Sequence, residues 1–150
     1  SFNKPSKELF DDEKNNLKNF KKAFLLIAGT CFDKLGSKLA EEQELMMNIS
    51  EMIIEIYLLE SALLKTEKLI TLNPKESFRE QIAMCQNFLH NTAEKIHLNG
   101  KEAIYAIATG DEQKILLLGL KRFTKVSPIN LKEKRRLIAK KLINKGKYCF

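Results

Sequence analysis

The chain has 150 residues, 44% of them apolar and 30% charged, which suits one domain with its own core and excludes a disordered chain. No apolar run approaches the roughly 20 residues needed to cross a bilayer, and nothing at the start reads as a signal peptide. The net charge of +7 is uneven: residues 1–113 carry 14 Lys or Arg against 18 Asp or Glu, and residues 114–150 carry 12 against one, Glu133.

Leu17, Phe20, Phe24, Ile27, Cys31 and Leu35 recur every three or four residues and predict an amphipathic helix over 7–38. Gly29 and Gly36 lower its propensity without shifting the phase. A second stripe, Leu45, Ile49, Met52, Ile56, Leu59 and Leu63, is widened by Met46, Ile53 and Leu64 and predicts a helix over 41–72. At 1.5 Å per residue it is about 45 Å long, a length typical of bundles. Asn73, Pro74 and Glu76 have the residue types of a cap, a first helical position and a capping box, so the third helix is placed over 74–109. Its stripe is Phe78, Ile82, Cys85, Leu89, Thr92, Ile96, Ala103 and Ile107; it stays in phase across Asn99-Gly100, which is therefore read through rather than as a stop. Asp111 is expected to cap a short helix over 112–124. Asn130 and Glu133 form a second capping box before a last helix over 131–144.

Nothing reads as a strand, and no repeat appears. The fold class is all-α: an up-and-down bundle of four-helix type with a short extra helix, built as one domain from residues 1–150. The chain opens on Ser1 with no Met before Met46, so a piece of a longer protein is expected.

Two histidines and three cysteines limit metal or nucleophile chemistry. Glu94 and His97 have the Glu-x-x-His spacing of a di-metal bundle helix. On a helical wheel, however, Glu94 lies about 160° from the buried centre of its helix and His97 about 100°. His90 is preceded at that spacing by Asn87. Antiparallel packing would set His97 level with Glu51, while the first helix offers only Ala28, Gly29, Thr30 and Cys31 at that height. No metal site is expected, and Glu94 and His97 are read as solvated. Cys31, Cys85 and Cys149, odd in number and far apart, make no disulfide framework or zinc pattern and are read as buried or incidental thiols. Glu60 and Glu67 lie within about 60° of the apolar face of their helix. A bundle-seam ion pair with Lys or Arg is expected for them rather than catalysis. There is no glycine-rich phosphate loop, nucleophile elbow or Cys–His pair.

Two blocks carry a family signal. KLAEEQELMMNISEMIIEIYLLESALLKTEKL runs from Lys38 to Leu69; GKEAIYAIATGDEQKILLLGLKRFTK is followed by PIN, RRLIA and KYCF, from Gly100 to Phe150. Together they resemble the C-terminal helical extension of bacterial acyl-CoA dehydrogenases of the very-long-chain type. GDE, GLKRFTK and the terminal YCF are the most specific parts. The resemblance implies a catalytic core preceding this chain, which holds FAD, removes the proton α to an acyl-CoA thioester with a glutamate, and passes hydride from Cβ to the flavin. None of those motifs matches a position here, so no catalytic, FAD-binding or metal residue is assigned. The implied role is a non-catalytic accessory domain, in a homodimeric, cytoplasmic enzyme, that packs on its core or partner subunit or touches the inner membrane face.

The basic end supplies a candidate surface: Lys121, Arg122, Lys125, Arg135, Arg136, Lys140 and Lys141. Leu131, Ile138 and Leu142 form an apolar stripe on the last helix, which either lies on an anionic membrane or packs into the bundle. The alternative function is a stand-alone basic helical module for nucleic acid or anionic lipid. Nucleic acid is not the expected partner, because the charges are not interleaved with stacking aromatics and no binding motif is present.

Overall fold

The computed structural model describes residues 9–128 together with 139, 140 and 143. Within residues 9–128 four helices form: α1 (Asp11–Leu35), α2 (Gln43–Leu72), α3 (Arg79–Ile107) and α4 (Gly110–Phe123), with 3-10 helix over Gly36–Glu41 between α1 and α2. No strand occurs among the described residues. The fold is the expected all-α up-and-down bundle, with the short α4 packed beside the three long helices. The expected helix over 131–144 and its Asn130–Glu133 box lie outside the described residues, apart from Ala139, Lys140 and Ile143, which are helical and exposed.

Periodicity gives each long helix one buried side. Leu17, Phe20, Ala23, Ile27 and Cys31 face inward on α1. On α2 the inward residues are Leu45, Met52, Ile56, Leu59 and Leu63, joined by Glu55 and Thr66. Phe20, Ile27, Met52, Leu59, Ile96, Ile104 and Leu120 are wholly buried, and each contributes about 1.5–3 kcal/mol relative to exposure. Cys31 and Cys85 belong to this core as free thiols. Burial pushes both thiols upward in pKa, so neither is a ready nucleophile.

Side-chain pairs across the seams fix the directions. Gln86 reaches Glu13, and Lys34 reaches the Ile107 carbonyl; both pairs are 73 residues apart, so α1 and α3 run parallel. Lys14–Glu67 and Lys21–Glu60 pairs set α2 antiparallel to α1. Thr66–Cys85 at 3.2 Å and Lys95–Glu55 at 3.3 Å do the same for α2 and α3. The α4 helix packs on α1 and α3 and does not contact α2. Its entry is held by Lys34, which bonds Glu112 at 2.8 Å.

The helix ends differ from the sequence expectations for physical reasons. Rather than reaching residue 38, α1 stops at Leu35, because Gly36 turns to φ 52° and gives its N–H to Phe32. At its start Phe10 adopts φ 62°, a costly conformation for a non-glycine residue, and its side chain is only 3% exposed. Glu41 and Glu42 precede α2, which begins at Gln43 instead of 41. The capping box at Asn73 does not form. Asn73 instead closes α2, with its side-chain amide donating to the Leu69 carbonyl at 2.9 Å and its N–H to Leu69 and Ile70. Having ended one helix, Asn73 cannot start the next, so α3 begins at Arg79 rather than 74 and ends at Ile107 rather than 109. Asp111 is not a cap either. Extended Thr109 occupies the N-cap of α4, Gly110 has φ 63°, and Asp111 and Glu112 sit in the first turn, where acids suit the helix dipole.

The Asn99-Gly100 pair lies inside unbroken α3 because α4 needs the glycine. A Cβ on Gly100 would stand 2.7 Å from Cδ1 of Leu120, whose side chain is fully buried. Exposed Gly29, in contrast, has nothing within 4 Å of an added Cβ. Urea unfolding should therefore give opposite signs for the same change. Gly29→Ala is expected to stabilise by about 0.5–1 kcal/mol, and Gly100→Ala to destabilise by about 1–2 kcal/mol as overpacking outweighs the helix-propensity gain.

Candidate functional site

His90, Glu94, His97 and Lys101 are spaced four, three and four residues apart on α3, which aligns them on one stripe. Leu120, seated over Gly100, brings the C-terminal end of α4 alongside that stripe. Between them, and bounded by residues 124–126, lies a cleft of about 600 Å³ lined by those four residues with Lys121 and Lys125. Ala93, Leu98 and Val126 add apolar lining.

His97 is the ordered group in this cleft. Its Nδ1 lies 3.1 Å from Oγ1 of Thr124. That hydroxyl already donates its single proton to the Leu120 carbonyl at 2.8 Å, so toward the ring it can only accept. Nδ1 therefore carries the hydrogen, and Nε2 is left as the site that takes up a proton. Burial, followed by the charges of Lys101 and Lys121, holds the His97 pKa below its ordinary value.

The two residues of the Glu-x-x-His pair separate in environment. Glu94 is exposed, whereas His97 is half-buried and bonded to Thr124, not solvated as its wheel position suggested. Its ring is bonded to Thr124 after α4, and the α3 residue that meets an α2 carboxylate near this level is Lys95, with Glu55. No group of three or more metal-binding side chains converges among the described residues. Glu60 and Glu67 are partly exposed and paired with Lys21 and Lys14. The buried carboxylate is Glu55, 7% exposed, which the apolar-stripe reading passed over. Lys121, Arg122 and Lys125 are exposed on or just after α4, and Lys140 is exposed; Arg135, Arg136 and Lys141 lie outside the described residues. Of the described ones, Lys121 and Lys125 line the cleft; Lys101, which also does, had no sequence signal.

A second surface lies on α2. Met46, Ile53 and Leu64 do not widen the buried stripe; they are exposed, together with Met47, Ile54, Tyr57 and Leu58. Between Met46 and Leu64 the charged residues are Glu51, Glu55 and Glu60. Glu55 is buried and Glu60 is paired with Lys21, so over some five turns the outward face of α2 carries one exposed charge, Glu51, amid apolar side chains. Only α1, α3 and the 3-10 segment touch α2 among the described elements. A helix apolar on both sides is usually covered on both.

Residues 19–122 match the family described as acyl-CoA dehydrogenase, C-terminal domain. A probable acyl-CoA dehydrogenase of Bacillus subtilis (strain 168) is 30% identical over 144 residues, which cover 96% of this chain and 24% of that protein. The crystal structure of an acyl-CoA dehydrogenase complexed with FAD from Bacillus anthracis superposes with a TM-score of 0.91 at 30% identity, covering 97% of this chain and 25% of that one. The chain thus spans about a quarter of the length of these relatives.

The environment of His97 has a measurable signature. Because its folded pKa lies below the ordinary 6.5, the unfolded chain binds the proton first on acidification. This contribution to stability is intact above 6.5 and is lost as the pH falls from there through the lower folded pKa. Lys121→Gln is expected to raise the His97 pKa, read from the imidazole resonances in an NMR pH titration.

Proposed function

The chain belongs to the acyl-CoA dehydrogenase C-terminal domain family, and on that premise we propose that it is the non-catalytic helical accessory domain of an acyl-CoA dehydrogenase of the very-long-chain type. The parent reaction is the α,β-dehydrogenation of fatty acyl-CoA thioesters. Its base and its FAD belong to a catalytic core elsewhere in the same polypeptide. The described lining of the cleft does not suit flavin: it is mainly lysine, histidine and apolar side chains, with no Phe, Tyr or Trp among its described residues to stack on the ring. No step of the oxidation is assigned to these residues.

The observation that carries the reading is the apolar outward face of α2, in which Glu51 is the one exposed charge between Met47 and Leu58. Met47, Ile54, Tyr57, Leu58 and Leu64, each 45–70% exposed, form one side of the most apolar helix of the bundle. Packed against the core or a partner subunit of a homodimer, that face would be removed from water, at about 25 cal/mol per Å² of apolar surface. Contact with the inner membrane face is the second reading, favoured by the charge of the C-terminal quarter. No described helix is long and apolar enough to cross a membrane. Such contact is therefore peripheral in this reading, through Lys121, Arg122, Lys125 and the cations that follow.

Ile54→Lys and Leu58→Lys test the docking reading. In the isolated chain both sites are solvent-facing, and the unfolding free energy should change by no more than about 0.5 kcal/mol each. In the full-length enzyme the same pair should raise amide exchange along α2 and lower the thermal midpoint. Equal protection of α2 in variant and parent enzyme would refute docking through this face.

A further inference from the structure

Lysines at the helix seams of this bundle have carboxylate partners: Lys14 with Glu67, Lys21 with Glu60, Lys34 with Glu112 and Lys95 with Glu55. Among the described residues the three lysines of the cleft do not: Lys101, Lys121 and Lys125 have no ion pair or hydrogen bond there, and the one acid in the described lining is Glu94. They come from α3, from α4 and from the segment after it, so one cleft gathers cations from three separate stretches of chain. Like charges placed together are mutually destabilising unless an anion sits among them.

We propose that this cleft is a binding site for a phosphoryl anion carried on a small organic body. Three ammonium groups suit a multiply charged anion with several acceptor oxygens better than a carboxylate with two. The phosphoryl oxygens take hydrogen bonds from Lys101, Lys121 and Lys125, and Ala93 and Val126 accept the apolar part of the ligand. His97, its Nδ1–H fixed on Thr124, gains a proton at Nε2 when the anion offsets the charges of Lys101 and Lys121. The groups facing His97 are His90, Glu94 and Lys101 from α3, Lys121 from α4, and Thr124 with Lys125 beyond it. The inference concerns the cleft alone and holds whether or not α2 docks on a catalytic core. Its ligand could be a soluble phosphate ester or a lipid headgroup, which share this chemistry.

Long-range proton–nitrogen NMR spectra of the 150-residue chain resolve its two histidines. Titration with inorganic phosphate, at ionic strength held constant with chloride, should move His97 saturably toward the imidazolium form. Lys101→Gln and Lys121→Gln should each weaken phosphate about tenfold, the usual loss for one hydrogen bond to a charged group. Arg122→Gln removes the same charge from an exposed residue outside the lining and should leave the affinity unchanged. Glycerol phosphate and phosphatidylglycerol–phosphatidylcholine vesicles are then used as competitors. Displacement by the ester alone identifies a soluble source, and displacement by vesicles identifies the headgroup. Chloride acting as well as phosphate, an Arg122 variant as weak as the Lys121 variant, or failure of both competitors overturns the proposal.

Discussion

Leu120 fills the space that a side chain at position 100 would occupy, and the upper half of the bundle is organised by that substitution of one residue's volume for another's. A missing Cβ on α3 lets α4 approach closely, and the fully buried leucine then locks the approach by packing. From there the geometry is determined. Thr124, four residues on, closes back onto the Leu120 carbonyl, and its hydroxyl comes within reach of His97. Lys121 of α4, with Lys125 just after it, is thereby set against the α3 stripe. With a larger side chain at position 100, α4 would stand off and the cleft would lose one wall.

The α2–α3 seam works by a different rule. Its apolar contacts are extensive but do not by themselves distinguish one register from the next. Thr66 with Cys85 and Glu55 with Lys95 do, because each pair forms only when the two helices are in step. Glu55 keeps one oxygen for Lys95, while its other oxygen and the Thr92 hydroxyl have no partner among the described residues. A buried polar atom left unpaired costs about 1–3 kcal/mol. This interface therefore gives up some stability, and its polar pairs penalise a slipped register in return.

The helices and their inner faces were legible in the sequence, since a stripe at three- and four-residue spacing is a direct record of burial. Residues such as Leu17, Ile27, Leu59 and Ile96 lie where their phase puts them. The outer face of α2 was not legible in the same way: Met46, Ile53 and Leu64 look like core, and only the placement of α1 and α3 leaves them outside. Helix ends were misread where one residue had two uses. Asn73 is as good a terminator as an initiator, and the choice depends on where Leu69 and Ile70 place their carbonyls. For the cleft, the basicity of the C-terminal quarter marked Lys121 and Lys125. Lys101 and Thr124 carry no local pattern; they join the site only because α4 folds back on α3.

The parallel course of α1 and α3 has a topological corollary. Asp12, Glu13 and Asn16 at the start of α1 share a small depression with Ser127, from the last described stretch of continuous chain. The described stretch 9–128 thus behaves like a clip that begins and ends at one pole, while the 3-10 segment and the α3–α4 turn occupy the other. An arrangement of this kind can be attached, inserted or circularly permuted with short joints and without threading the chain through itself. A pull applied at the start of α1 and one applied at Ser127 would be felt at the same pole.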